Sequence, residues 1–319
     1  MKAKPNQLRL PASILMGVGL ALLGSASSAA EAPLVQLGVA KVDITPASPI
    51  RLTGYASRRT ESEGVEQRLW AKALAIGSDA DDPALLLTVD NCGMTEAITE
   101  ELARRLAKKA RIERERLVIC VSHTHAGPCL TGWAPNIFAQ DVPPEQQATI
   151  DLYTKGLIDR LEQVALAALA NRQPGRLEWR QGSVGFAKNR RTPNGPVDQA
   201  LPALRVVDAA GKVRAVVANY ACHCTTLGGE FNRVCGDWAG YAQEALERDE
   251  PGAIGLITIG CGADANPVPR GHLDHAKEHG EEIAAEVKRL SAQTFTPIRS
   301  KLSARLKRIE LPFAPPFTR

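Results

Sequence analysis

Leu117-Val118-Ile119-Cys120-Val121 is followed directly in the chain by Ser122-His123-Thr124-His125-Ala126-Gly127-Pro128. The β-branched, apolar run predicts a buried strand, and the Gly and Pro that follow predict a turn. Since side chains alternate along a strand, His123 and His125 are expected on one side of its end. Two neutral imidazoles that converge at the edge of a sheet are typical of a zinc site. The motif alone equally allows two polar residues that cap the strand.

The first 30 residues carry the features of a secretory signal peptide. A basic start, an apolar core over residues 14–23 and the small residues Ser28-Ala29-Ala30 follow one another in that order. The apolar core is about ten residues long, too short for a stable membrane-spanning helix. We expect a secreted or periplasmic protein, cleaved near Ala30 and without a transmembrane segment. An uncleaved anchor is the alternative.

The charge balance gives no support for nucleic-acid binding. Removal of the signal peptide takes away three of the 39 basic residues and no acidic one, which leaves 36 Lys and Arg against 35 Asp and Glu. A nucleic-acid-binding domain usually shows a strong basic excess. Residues 31–319 are long enough for one large domain or two modest ones.

Seven cysteines stand in a chain that we expect to enter an oxidising compartment. The odd number leaves at least one thiol unpaired within the chain, and the spacing does not fix any pairing. Cys222-His223-Cys224 looks like a soft-metal cluster, but strand alternation sends both cysteines to the face opposite His223.

Hydrophobic periodicity predicts an α/β fold with a mixed β-sheet core and flanking helices in a single large domain. A hairpin is expected at the turn around Gly211. The predicted strands cover residues 38–44, 69–76, 84–89, 117–121, 177–186, 204–207, 213–220 and 255–259, and the predicted helices cover 96–110, 144–171, 238–248 and 272–292.

The last residues of the chain predict a strand and then stop without a cap. Residues 302–309 predict one more strand, after which the sequence stops at Arg319 without a polar tail. We expect the chain to be truncated, with an extended arm as the alternative.

Two further groups of polar residues follow predicted strands, where loops build the sites of α/β folds. Asn189-Arg190-Arg191 offers a planar guanidinium that could bind a carboxylate or stabilise an oxyanion, although a solvated basic turn explains it as well. His223 could meet His123, or it could be a buried structural histidine.

Gly260-Cys261-Gly262-Ala263-Asp264-Ala265-Asn266-Pro267 forms a glycine-flanked turn after another strand. Its glycines let the backbone approach a ligand and offer amide N–H groups to an anion. The turn lacks the lysine of a nucleotide-binding P-loop. A phosphate-handling enzyme would also need carboxylate metal ligands nearby, and only Asp264 is offered.

Three histidines in the last predicted helix, at 272, 275 and 279, fall on one helical face. They are interleaved with acidic and basic residues. This pattern predicts a solvated face in preference to a further metal site.

Taken in this order, the motifs resemble the N-terminal catalytic region of the neutral/alkaline non-lysosomal ceramidase family over residues 38–290. The opening at 38–46, followed by Leu52-Thr53-Gly54-Tyr55, looks like the family's start, and 122–128 looks like its His-Thr-His-Ser-Gly-Pro motif. Asn189-Arg190 matches its Asn-Arg-Ser turn, and 235–242 resembles its Gly-Asp-Asn-x-Gly-Tyr-Ala segment.

The resemblance implies a zinc ion held by His123 and His223, together with a glutamate and a tyrosine from further along, which we expect beyond Arg319. It also implies that His125 and Arg190 line the pocket and polarise the carbonyl group of the substrate.

The sequence departs from the family at one catalytic position. The family's turn reads Gly-Asp-x-Ser-Pro-Asn, whereas Ala263-Asp264-Ala265-Asn266-Pro267 places Asn266 where that serine would be. An amide cannot act as an alkoxide nucleophile, but it can donate a hydrogen bond to an oxyanion. Asp264 and Asn266 therefore join His125 and Arg190 as candidate catalytic residues.

These observations predict a secreted zinc-dependent hydrolase that splits an amide or ester bond of a small-molecule or lipid-like acyl substrate by metal-activated water. The alternative is a degenerate ceramidase-like binding module that keeps the fold without turnover. No nucleic-acid partner is expected, and the sequence leaves the oligomeric state open.

Overall fold

The computed structural model describes Met1, residues 34–299 and residues 301–312. The predicted signal peptide beyond Met1 lies outside these residues. The strands are β1 (Val35–Asp43), β2 (Trp70–Ile76), β3 (Ala84–Val89), β4 (Leu117–Val121), β5 (Gln173–Ser183), β6 (Ala187–Asn189), β7 (Ala200–Asp208), β8 (Val213–Tyr220), β9 (Ile254–Ile259), β10 (Ala265–Pro267) and β11 (Thr296–Pro297). The helices are α1 (Glu96–Ala110), α2 (Pro144–Ala170), α3 (Asp237–Asp249) and α4 (Leu273–Ser291).

One mixed sheet runs through the domain in the order β4-β3-β2-β1-β5-β7-β8-β9, with β11 paired to β5. The pairs β3–β4 and β8–β9 are parallel, and the other neighbours in this sheet are antiparallel. A separate short pair joins β10 to β6. The predicted fold class, a mixed sheet with flanking helices in a single domain, is confirmed.

The two faces of the sheet pack into different layers. On one face, the alanines of β2 pack with α1 and α2, and Val216 and Ala218 of β8 pack with α3 and α4. On the other face, Leu74 of β2, Val217 of β8 and Leu256 of β9 share one buried cluster. The sheet therefore folds over on itself, with its two halves in contact inside and helices outside.

This arrangement brings the two parallel strand pairs together at their carboxyl ends. Loops at the carboxyl ends of parallel strands build the sites of α/β proteins. The loops after β3 and β4 carry Cys92 and His123, and the loops after β8 and β9 carry His223 and Gly262. Each half of the sheet thus contributes one parallel pair to a common edge.

Several sequence expectations need correction at the element boundaries. The strand predicted over 177–186 begins earlier, ends at Ser183 and is followed by the separate β6. The strand predicted over 302–309 is wrong, because residues 301–312 form no regular secondary structure. The predicted hairpin is present, with its turn closed by a hydrogen bond from the Asp208 amide to the Lys212 carbonyl at 2.9 Å.

Five of the seven cysteines are buried as small apolar residues, Cys120 is partly buried and Cys261 is exposed. All seven lie in the described part of the chain and all are free thiols. Cys222 and Cys224 are fully buried in the cluster beneath α3 and α4, on the side away from His223. Within the described residues, no helix is long and apolar enough to cross a membrane.

Two glycine-to-alanine changes should have opposite effects on the free energy of unfolding. A Cβ at Gly38 of β1 would lie 1.9 Å from the Ala168 carbonyl oxygen of α2, whereas a Cβ at Gly156 in α2 meets nothing within 4 Å. We expect Gly38→Ala to lower the free energy of unfolding by about 2 kcal/mol or more, because two backbones must separate. We expect Gly156→Ala to raise it by about 0.5–1 kcal/mol, since alanine favours the helix. Urea unfolding measures both, and a Gly38→Ala variant of parental stability would contradict the close packing of β1 on α2.

Candidate metal centre and surrounding site

His123 lies just beyond the end of β4, where the backbone leaves the extended conformation. Its φ is +58°, in the left-handed region, and the Ser122 amide before it still donates to Val89 at 2.9 Å. Nδ1 of His123 lies 2.5 Å from the Cys92 carbonyl oxygen. The expectation that strand alternation aligns His123 with His125 is therefore wrong in its reasoning. The turn, not the pleat, brings the two rings together.

His223 reaches the same place from the other half of the sheet. Its backbone amide donates to the Ala265 carbonyl at 2.8 Å, and its Nδ1 lies 3.0 Å from the Gly262 carbonyl oxygen. The side chain is 9% exposed. Its orientation is thus set by backbone groups on both sides of the turn that follows β9.

The two imidazoles meet through their remaining nitrogens. Nε2 of His123 lies 3.1 Å from Nε2 of His223 and 3.3 Å from Nε2 of His125. Since a carbonyl oxygen can only accept, Nδ1 of His123 and Nδ1 of His223 each carry the proton, and each Nε2 presents a lone pair. Lone pairs that converge in this way need a cation or a proton between them.

These distances suit a shared metal ion. Two nitrogens that are each about 2 Å from one zinc ion lie roughly 3 to 4 Å apart. Donation of the outer N–H to a backbone carbonyl is also the usual way in which proteins orient a histidine ligand. The donor set therefore fits a zinc ion, which His123 and His223 would hold, and Nε2 of His125 lies next to Nε2 of His123.

Cys92 offers a second position for a metal, which the structure favours less. Its Sγ belongs to a group with His123 and His125 whose ligand atoms lie within 4.8 Å of one another. The thiol faces Nδ1 of His123 at 3.9 Å, and that nitrogen is engaged with the Cys92 carbonyl. Burial raises the pKa of the Cys92 thiol to about 12, away from the thiolate form that binds metals.

The three imidazoles are kept neutral. Burial lowers the pKa of His123 and of His223. The pKa of His125 falls to about 3, chiefly because of burial and further because of His123, His223 and Arg58. Neutral imidazoles are the form that coordinates a metal.

A glycine and a tyrosine enclose His125. Gly54 has φ of +93°, and a Cβ there would lie 2.5 Å from Cγ of His125, so no other residue fits. The Tyr55 ring meets the His125 ring edge-on at 5.1 Å between centroids, and its hydroxyl donates to the Leu227 carbonyl at 2.6 Å. Burial raises the pKa of Tyr55 to about 12, so the hydroxyl stays protonated.

Arg58 ties three loops of the site together. Its guanidinium, which is 4% exposed, donates to the carbonyls of Thr53 and His125 and to that of Phe231 at 2.9 Å. Its charge is met by carbonyl dipoles and, among the described residues, by no ion pair with a carboxylate. Because it holds the His125 backbone directly, Arg58 positions that ring.

The structure brings Arg190 close to the cluster. Its amide donates to the Asp264 carbonyl at 2.7 Å and its Nε to the Ala263 carbonyl at 2.9 Å. Its charge helps to lower the pKa of both His123 and His223. The Arg190 side chain is exposed.

The other two candidate catalytic residues occupy different positions. Asn266 is half-buried in β10, and its Oδ1 accepts from the Thr225 hydroxyl at 3.4 Å, which leaves Nδ2 to act as a donor. The Asp264 carboxylate is exposed, and its contact is with the Asn189 amide at 3.4 Å. Asp264 thus braces the turn that carries Arg190 and has no hydrogen bond to the histidines.

The glycine-flanked turn and His279 both differ from what the sequence predicts. In the glycine-flanked turn, the Gly260 and Gly262 amides donate to the Tyr220 and Gly260 carbonyls, so they are not free to bind an anion. His279 is not part of a solvated face, because it is 3% exposed. Its ring stacks on Phe186 at 4.3 Å.

Sequence reasoning missed Tyr55, Arg58, Cys92 and the Gly262 carbonyl as parts of the site. Cys92 could have been found, since it follows the strand that pairs in parallel with β4. Tyr55 was seen only as part of a motif. Nothing local distinguishes Arg58 from the exposed Arg59 beside it.

The family profile and the relatives that match this chain are all described as neutral ceramidases. The profile of the family described as "Neutral/alkaline non-lysosomal ceramidase, N-terminal" matches residues 35–256. The neutral ceramidase of Pseudomonas aeruginosa is 25% identical over 338 residues, which covers 96% of this chain and 49% of that protein. Neutral ceramidase B of Dictyostelium discoideum is 24% identical over 241 residues, which covers 69% of this chain and 33% of that protein.

Solved structures show the same fold. The crystal structure of the Pseudomonas aeruginosa neutral ceramidase superposes with a TM-score of 0.73 at 22% identity, over 85% of this chain and 46% of that one. A structure described as "Ceramidase complexed with C2" gives 0.72 at 21% identity, over 85% and 45%. The chain thus spans about half the length of these structures.

The metal-free protein should lose stability as the pH falls below 6.5. In that range an unfolded histidine, with a pKa of 6.5, takes up a proton that folded His125, with a pKa of about 3, does not. Stability then falls with decreasing pH, by up to about 1.4 kcal/mol per pH unit for one such histidine. His123 and His223 act in the same direction. Urea unfolding in excess chelator between pH 7 and 5 measures the slope.

The His125→Asn variant should show a shallower slope, and His272→Gln, at an exposed histidine, should keep the parental one. An unchanged slope in His125→Asn would mean that folded His125 takes up its proton as readily as the unfolded chain does.

Proposed function

The chain belongs to the neutral/alkaline non-lysosomal ceramidase family, and on this premise we propose that it is a zinc-dependent hydrolase of acyl amide or ester bonds. The observation that carries the proposal is the convergence of Nε2 of His123 and Nε2 of His223 at 3.1 Å, with both Nδ1 atoms bonded to backbone carbonyls. Relatives named neutral ceramidases support the amide chemistry. The chain spans about half of the length of the Pseudomonas relative. The hydrolase activity of this chain is therefore proposed and does not follow from the family alone.

His123 and His223 would hold the ion through Nε2. Zinc in such a site supplies a Lewis acid for a carbonyl oxygen and lowers the pKa of water towards 7. The carbonyls of Cys92 and Gly262 fix the ring orientation and tautomer of the two ligands. His125, neutral because of burial, lines the pocket without adding positive charge.

Arg190 and Asn266 would stabilise the negative charge that develops on the substrate oxygen. Arg190 has its Nε fixed on the Ala263 carbonyl, which leaves the terminal nitrogens to bind the oxygen. Asn266 has its Oδ1 turned to Thr225, so its Nδ2 can donate to the same oxyanion. With an amide at this position, the attacking group would be water and not a side chain.

We also infer that the protein is exported. The support is the order of basic start, apolar core and small-residue cleavage site over residues 1–30. A second candidate function, a binding module without turnover, is favoured by Asn266 alone, since the family's serine is missing from that turn.

Replacement of either ligand should abolish zinc binding. We expect His123→Ala and His223→Ala each to lose at least 100-fold in zinc affinity, because the remaining nitrogen ligands seldom hold the ion tightly. Titration of the full chain with Zn²⁺ by calorimetry, and metal content after purification, measure the effect. His272→Ala is the matched control and should bind zinc as the parent does. Equal affinity in the parent and both ligand variants would remove the metal site from the proposal.

The zinc-loaded full-length protein should hydrolyse members of an acyl amide and ester panel. Asn266→Ala should lower kcat on the order of 10²-fold, as the loss of an oxyanion donor does in other hydrolases, with zinc content unchanged. The parent protein should be active with Asn266 in place, without the Asn266→Ser change. If the parent hydrolyses nothing in the panel and Asn266→Ser creates activity, the binding-module function replaces the hydrolase.

A further inference from the structure

A second arginine stands beside the histidine cluster and is held in place there. Arg270 lies in the loop between β10 and α4, and its Nη2 is 3.4 Å from the Tyr55 hydroxyl, whose ring contacts His125. This residue lies outside the motifs identified in the sequence.

The backbone on both sides of Arg270 is fixed. The carbonyl of Pro269 accepts from Nε2 of buried His279 at 2.7 Å, and the amide of Gly271 donates to the Thr226 carbonyl at 2.7 Å. Thr226 lies three residues after His223, so Arg270 is anchored to the loop that carries a proposed ligand. The Arg270 side chain is exposed, but the backbone that carries it is held by these two hydrogen bonds. A fixed backbone limits the positions that the guanidinium can take and so lowers the cost of binding.

The acidic groups around the cluster are hydrogen-bonded to other groups or exposed. The buried Asp237 carboxylate accepts from the amides of Thr226, Leu227 and Trp238, and Asp264 accepts from Asn189. Glu230 is exposed, and its charge reaches Tyr55. Among the described residues, no carboxylate forms an ion pair with Arg270 or with Arg190.

The charges around the cluster are therefore mostly positive. Arg190 lies on the side of Gly262, Arg270 on the side of Tyr55, and buried Arg58 behind His125. The charges of both Arg190 and Arg270 help to lower the pKa of His223. A bound zinc ion would add to this field. A neutral amide gains little from such surroundings, whereas a negatively charged one is attracted and oriented by them.

We propose that the substrate is an acyl amide with a carboxylate close to the amide nitrogen, as in an N-acyl amino acid, and that Arg270 binds this carboxylate. The inference rests on the proposed hydrolase function. Arg270 contacts the hydroxyl of Tyr55, whose ring packs on His125, so an anion bound by Arg270 would lie on the Tyr55 side of the histidine cluster. The planar guanidinium matches a carboxylate with two parallel hydrogen bonds. Arg190 keeps its role at the carbonyl oxygen.

The test compares two substrates that share an acyl chain and differ in charge, N-lauroylglycine and N-lauroylethanolamine. With the zinc-loaded full chain we expect kcat/KM to be about 10-fold or more higher for N-lauroylglycine, mainly through KM. Arg270→Gln should bring the ratio of the two values close to one, and Arg270→Lys should restore part of it. Arg68→Gln, a matched change at an exposed arginine paired with Asp43, should leave the ratio as in the parent.

A binding measurement separates this inference from the hydrolase function. In the metal-free protein, N-lauroylglycine should bind about 10-fold or more tightly than N-lauroylethanolamine, and Arg270→Gln should remove the difference. Hydrolysis of both amides at equal rates would overturn the role of Arg270 and leave the hydrolase standing. Absence of all hydrolysis would remove the hydrolase function, and equal binding of the two amides by the metal-free protein would then overturn the anion site as well.

Discussion

Apolar packing between the two inner faces of the folded sheet holds the candidate site together. Leu74, Val217 and Leu256 are buried in that contact, and each half of the sheet carries one of the proposed zinc ligands. A buried cation orients the contact further. Nζ of Lys72 on β2 donates to Glu247 of α3 at 2.8 Å and to the Gly255 carbonyl of β9 at 2.6 Å. Such a pair contributes more to alignment than to net stability, and alignment is what a distance of 3.1 Å between two imidazole nitrogens requires.

Burial and backbone dipoles set the electrostatics of the site. Three imidazoles are kept neutral by burial, while Arg58 is accommodated by three carbonyl groups in place of a carboxylate. The carbonyls of Cys92 and Gly262 similarly fix the two proposed ligands without adding charge. The result is a cluster of neutral imidazole nitrogens with guanidinium groups beside it.

Local sequence patterns predicted most elements, because helix and strand periodicity is a local property. The four helices begin and end within two residues of their predicted bounds. His123 and His223 were also predicted as partners, through strand ends and a family resemblance. The contacts that complete the site could not be predicted, since Arg58 bonds to residues 67 and 173 positions away. His279 was misassigned because the helical pattern includes only residues close to it in sequence. The Phe186 ring that stacks on it comes from a distant part of the chain.

The separation of the two ligands along the chain has a consequence for how the molecule folds. His123 and His223 are 100 residues apart. His123 follows β4, at one end of the sheet order, and His223 follows β8, next to the other end. Chains dominated by such distant contacts fold slowly. A metal ion held by both histidines would bind only when the two halves of the sheet are together, and it would therefore stabilise the folded domain over any state in which they are apart.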